Sequence, residues 1–113
     1  MQNEEQIWHM VDAKKAEFIA LSDRVFETPE TLYNEYASVA EHMIMLKSEG
    51  FRVTEGICGM PTAVMGEAGD KGPVIAILGE FDALPELSQA PGVAQPSPIE
   101  AGGNGHGCGH NLL

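Results

Sequence analysis

Apolar residues recur at helical spacing from residue 3 to about residue 27. Ile7, Met10, Val11, Phe18, Leu21 and Val25 form one stripe, and Glu4, Asp12, Lys14, Lys15, Glu17 and Arg24 fall elsewhere. The spacing predicts a helix that stops at Thr28-Pro29-Glu30, because proline disfavours helical geometry in the residue before it. Trp8 and the methionines are expected to pack in the core, and His9 to lie on the surface. A second helix is predicted from Asn34 or Glu35, with Asn34 as its candidate cap. Its stripe is Tyr36, Val39, Ala40, Met43 and Leu46, and Gly50 ends it in the usual place. His42 borders that stripe and reads as a satisfied or solvent-facing side chain.

From Phe51 the period changes from helical to alternating. Residues 51–55 and 62–66 read as short strands, and residues 67–72 are dense in turn formers. Pro73-Val74-Ile75-Ala76-Ile77-Leu78 is a continuous apolar run rich in β-branched residues. Such a run predicts a strand buried on both faces, as in the middle of an α/β sheet. Residues 86–103 show neither period and read as a long loop, of the kind that is usually functional or mobile. That loop joins Asp82 to Cys108 and can fold back to bring their surroundings together. The fold class expected is α/β, with two amino-terminal helices followed by strands of a mixed sheet. There is no internal repeat and no coiled-coil heptad.

Charge narrows the function classes. The 113 residues contain 6 Lys plus Arg against 17 Asp plus Glu, a net charge of −11. Such a surface repels phosphate backbones and anionic lipid, so neither nucleic acid nor membrane is an expected partner. Otherwise the charge speaks only to solubility. No stretch approaches the roughly 20 apolar residues of a membrane span. The first five residues are acidic where a secretory signal would be basic, so the expected location is cytoplasmic. Cys58 and Cys108 could form one disulfide, which a reducing compartment disfavours. Cys58 is otherwise expected to be a buried thiol.

Two stretches carry candidate chemistry. Gly79-Glu80-Phe81-Asp82-Ala83-Leu84-Pro85 follows the apolar run directly, and carboxylates past the carboxyl end of a central strand stand where α/β sheets hold ligands. Glu80 and Asp82 are two apart and on an extended backbone point the same way. The plainer reading is an acidic loop at a strand end. The second stretch, Asn104-Gly105-His106-Gly107-Cys108-Gly109-His110-Asn111, packs one thiol and two imidazoles into five positions. Those side chains suit zinc. The alternating glycines are expected to supply positive φ and let the backbone bend round an ion. Alone, Cys-Gly-His is a weak signal, since zinc needs three or four protein ligands and no CxxC or HExxH supplies the others. A flexible glycine turn with a buried thiol and a Cys/His nucleophile pair are the alternatives.

Together the two stretches resemble the co-catalytic zinc amidohydrolases and peptidases related to aminoacylase and glutamate carboxypeptidase. The similarity is greatest to the branch acting on aroyl-glutamate, auxin-conjugate and hippurate substrates. Pro29-Glu30-Thr31, Leu87-Ser88-Gln89 and Ala94-Gln95-Pro96 also look like that branch. The resemblance implies that Cys108 and His110 are metal ligands. It implies that Asp82 supports the metal centre by holding a ligand, and that His106 is at most a supporting residue. Other branches carry a metal-binding histidine where this chain has Glu80, and many relatives have aspartate at Asn111.

The metal implied is zinc or manganese, with two ions in the complete enzyme. The substrate implied is an N-acyl or aroyl amino acid. The resemblance further implies that residues 1–113 are the amino-terminal part of a catalytic domain. The paired glutamates, the later histidines and the dimerisation domain would then lie outside it. The chain alone is expected to be inactive, and to self-associate as a homo-oligomer through uncovered apolar faces. The other function class consistent with these residues is a non-catalytic metal-binding or regulatory module. A structural fragment with an inert terminal loop is the third reading.

Overall fold

A computed structural model describes residues 3–113. Helix α1 spans Glu4–Glu27 and helix α2 spans Tyr36–Ser48, close to the predicted limits. Two acids, Glu4 and Glu5, open α1 and Arg24 lies in its last turn, as the helix dipole favours. The two helices run antiparallel. Arg24 meets Glu41 at 2.7 Å near one end, and Lys14 meets Glu49 at 2.7 Å near the other. No described helix is long and apolar enough to cross a membrane.

Asn34 does not cap α2. Its amide donates to the Leu32 carbonyl instead, and the residue at the cap position is Glu35, which makes no side-chain capping bond. The free amides at this helix start are taken by Glu30. Its carboxylate accepts from the backbone N–H groups of Ala37 and Ser38 at 2.9 and 2.8 Å, and from the Ser38 hydroxyl at 2.9 Å. A carboxylate here satisfies orphan donors and meets the positive end of the helix dipole.

Strands β1 (Arg52–Glu55) and β2 (Val64–Glu67) form an antiparallel pair, with Arg52 opposite Glu67 and Glu55 opposite Val64. The hairpin lies against α2, and a Cβ at Gly66 would come within 2.8 Å of Leu46. Gly66 therefore allows the close approach.

The predicted strand at 73–78 is not found. Val74, Ile75, Ile77 and Leu78 are 83–97% exposed, and the segment pairs with no strand among the described residues. A strand exists only through its ladder, and no described segment offers this one a partner. The described sheet is accordingly two-stranded and antiparallel rather than mixed.

The expected core is also smaller than the stripes suggest. Among the described residues the buried hydrophobic side chains are Val25, Val39 and Ala83, while Trp8 is 62% and Met10 70% exposed. The first half of α1 packs on little, so its stripe faces outward. The radius of gyration is 16.1 Å, against about 13 Å for a compact chain of this length. Both cysteines are free and exposed, so Cys58 is not the buried thiol expected.

Candidate metal centre

The site grows from the end of α1. Beyond Pro29, the Glu30 carbonyl accepts the Ala83 N–H at 2.7 Å, and Thr31 and Ala83 form a parallel bridge. That bond places residues 79–85 beside the helix exit and buries Ala83 to 1% exposure. One residue on, Leu84 exchanges two hydrogen bonds with Gly105, at 3.0 and 2.9 Å, in an antiparallel bridge. The two chemistry-bearing stretches are thus bonded to each other directly.

The aperiodic segment between them is held by its own side chains. The Gln89 amide donates to the carbonyls of Val93 and Gln95 and accepts from the Ser97 N–H. The Ser88 hydroxyl accepts from the N–H groups of Ile99 and Glu100. Folded in this way, the loop returns the chain to Leu84.

The glycines of the terminal stretch serve two purposes. Only Gly109 among the four alternating ones has positive φ, at 85°. Gly103 and Gly105 are needed for space: a Cβ would press on Glu100 at the first and collide with the Leu87 carbonyl at the second. Positive φ, expected at all of them, is therefore the rule at one.

Three side chains converge here. Glu80, Asp82 and His110 each offer a ligand atom, and the three atoms lie within 4.8 Å of one another. His110 Nδ1 is 2.8 Å from Asp82 Oδ1, and its Nε2 is 3.3 Å from Glu80 Oε2. A carboxylate can only accept here, so Nδ1–H donates to Asp82, and in the neutral ring the Nε2 lone pair lies on the Glu80 side. The spacing of the two acids thus sets one carboxylate on each ring nitrogen. His110 opens a short 3₁₀ turn to Leu112, and Asn111 donates to the Ser22 hydroxyl at 2.9 Å. Cys108 lies between two glycines, exposed, and its thiol is not one of the three converging groups.

Two further histidines border the site. His42, from α2, stacks on Phe81 with ring centroids 4.7 Å apart, and its Nδ1 bonds to the Ser38 carbonyl. It is satisfied, as its place beside the α2 stripe predicts. His106 is buried against the end of α1, with Nε2 3.1 Å from the Val25 carbonyl. Burial holds its imidazole below the usual range, and the bond to Val25 opposes that shift.

The chain is similar to one of the subunits of p-aminobenzoyl-glutamate hydrolase from Escherichia coli strain K12. The two are 45% identical over 104 residues, which is 91% of this chain and 21% of that protein. It is also similar to two proteins of Saccharolobus solfataricus. Thermostable carboxypeptidase 2 is 35% identical over 88% of this chain and 25% of its own length, and thermostable carboxypeptidase 1 is 34% identical over 82% and 23%. The chain is homologous to these hydrolases and carboxypeptidases. No protein-family model matches it. The chain spans between a fifth and a quarter of the length of the curated relatives it matches.

Kinship with hydrolases and carboxypeptidases gives the Glu80, Asp82 and His110 convergence a chemical context. The place of Glu80 beside His110 is foreshadowed in the sequence by its spacing from Asp82 and by the family resemblance at that position. The Glu30 carboxylate, which braces α2 while its backbone holds Ala83, carries no recognisable signal in the sequence.

Proposed function

We propose that this chain contributes metal ligands to the active site of a metal-dependent amide hydrolase, and that the whole protein cleaves an N-acyl or aroyl amino acid. The observation that carries this reading is His110 set between two carboxylates. Asp82 accepts a hydrogen bond from Nδ1–H and orients the ring with Nε2 left to bind, the common pairing behind a metal-binding histidine. Ligand bonds of about 2.1 Å in a tetrahedral set put donor atoms about 3.4 Å apart. The 3.3 Å between His110 Nε2 and Glu80 Oε2 fits such an edge.

The donor set of imidazole, carboxylate and thiol suits zinc, and its nitrogen and oxygen part also suits manganese. His110 and Cys108 would hold the ion, with Glu80 in reach and Asp82 behind His110. When bound, such an ion supplies Lewis acidity and lowers the pKa of a water molecule. The chain's own residues orient and ligate; the general base would come from elsewhere in the whole protein. An aroyl-glutamate is the favoured substrate, supported by the name of the Escherichia coli relative. The chain alone is expected to be inactive. Its exposed apolar run at 74–78 supports association with a second copy.

The test is metal content. The protein is purified without chelator beside a C108S/H110A version, and bound transition metal per chain is measured. Metal present in the first and lost in the second is expected. Equal metal in both would remove the proposed ligands. Hydrolysis of p-aminobenzoyl-glutamate by the full-length protein, with and without chelator, tests the substrate class separately.

A further inference from the structure

His106 stands two residues before Cys108 and four before His110, yet it is not one of the three converging groups. It is 8% exposed, and its ring lies tilted against Phe26 with centroids 6.2 Å apart. The Val25 carbonyl, in the last turn of α1, can only accept a hydrogen bond, so His106 Nε2 carries the proton and donates. That carbonyl already accepts the Thr28 N–H at 3.1 Å, so the imidazole is its second donor, on the remaining lone pair. The other nitrogen, Nδ1, is buried with no hydrogen-bond partner among the described residues. An apolar side chain of similar size would avoid that cost, so packing alone does not account for a histidine here.

Two more side chains of the same stretch bond to the same region. Asn104 donates to the Pro29 carbonyl at 3.2 Å, and Asn111 donates to the Ser22 hydroxyl at 2.9 Å. Ser22 and Val25 are three apart on α1 and share a face, and Pro29 continues the line past its end. The His106 bond is the central one and the most buried. Between it and His110 the backbone includes Gly107 and Gly109, which resist bending least. Asp82, the partner of His110, reaches the same helix end separately, through Ala83 and the Glu30 carbonyl.

We propose that His106 is a positioning residue, whose hydrogen bond to the Val25 carbonyl seats the Cys108–His110 turn on α1 and so sets where His110 meets Asp82. This deepens the metal-centre reading and rests on it. Two anchors on one rigid helix end fix the distance between two side chains that are 28 residues apart in sequence. Loss of the His106 bond leaves the glycine turn held from its two sides, by the Gly105 bridge and the Asn111 bond, without its central tie, and leaves Asp82 in place.

The test uses H106Q and H106L in the full chain. Glutamine keeps an N–H donor near the position of Nε2; leucine keeps the bulk and removes the donor. Cobalt(II) is titrated in place of the native ion and its visible spectrum recorded. H106L is expected to bind cobalt about 10- to 100-fold more weakly than the parent chain, with an altered spectrum, and H106Q to restore both. Cobalt binding by H106L equal to that of the parent chain would reduce His106 to packing and overturn the proposal. Loss of binding in H106Q equal to that in H106L, with both folded, would also overturn it.

A second readout needs no metal. Long-range proton–nitrogen NMR follows the His110 Nδ1 proton held by Asp82. That signal is expected in the parent chain and in H106Q, and its persistence unchanged in H106L would overturn the proposal. If the parent chain binds no cobalt, the metal-centre reading fails on that result, and the NMR comparison decides the positioning role by itself.

Discussion

Residues 74–78 and residues 86–107 flank the Glu80-to-Pro85 stretch and are opposites in how they are held. The first is apolar and β-branched, yet its side chains lie 83–97% exposed at Val74, Ile75, Ile77 and Leu78. The second has no period and little apolar character, yet named hydrogen bonds run along it. Ser88, Gln89, Asn104 and His106 each bond a backbone group, and Gly105 bridges to Leu84. Strand character is a promise that depends on a partner, because a ladder needs two edges. Ser88 and Gln89 clip the loop to itself, and Asn104 and His106 tie its far end to α1 and its exit. Specific polar bonds therefore decide which flank is held in place, whatever its hydrophobicity.

The sharpest way to break the contrast is at Gly105. A Cβ there would collide with the Leu87 carbonyl, a backbone atom that cannot swing aside. Gly105→Ala is expected to destabilise the chain by about 3 kcal/mol, at the upper end of overpacking costs. Urea unfolding followed by circular dichroism measures the loss. Amide exchange at Leu84 should accelerate with it, since Leu84 donates to Gly105. Unchanged stability would mean that the bridge between the two stretches is slack.

Next comes Glu30, whose carboxylate accepts the N–H groups of Ala37 and Ser38, two amides that the first turn of α2 leaves without a helical partner. Glu30→Ala is expected to cost about 2 kcal/mol, the sum of a lost cap and a lost dipole contact. Exchange at those two amides should rise more than elsewhere in α2. A uniform rise over the helix would instead point to general loosening.

Ser88→Ala removes one hydroxyl that accepts two backbone donors, Ile99 and Glu100, on an exposed loop. Water can replace it at that surface, so the expected cost is about 1 kcal/mol. The midpoint of the same urea transition reads it. A shift as large as that of Gly105→Ala would make the loop, rather than the bridge, the stronger fixture.

How much of this is legible in the sequence follows from the same contrast. Both helices and the 52–67 hairpin show there because their signals are local: period, a stopping proline, a stopping glycine. The place of Asp82 next to His110 follows from family likeness and from a loop long enough to return. Three features are not legible. The exposure of 74–78 depends on what is near it in space. The Glu30 cap reaches over seven residues, past Asn34, whose residue type suits a cap better. The tie from His106 to Val25 spans 81 residues, and no single-chain pattern encodes a contact at that separation. Glycine misleads for another reason: Gly103 and Gly105 serve closeness, whereas only Gly109 serves positive φ.

The smallest effect on folding is expected at Ile77, which is 94% exposed. Ile77→Lys loses almost no burial in the single chain, so its stability should change by no more than about 0.5 kcal/mol. The effect on association is the informative one. A bare β-branched run is a template for pairing with another copy, and a lysine on an unpaired edge is a common way to prevent that. Sedimentation velocity over a range of concentrations should show self-association in the parent chain and less of it in Ile77→Lys. The net charge of −11 opposes association at low salt, so the difference should widen as salt is added. A parent chain that stays monomeric throughout would show that this run attracts no second copy and would remove the association proposed for it.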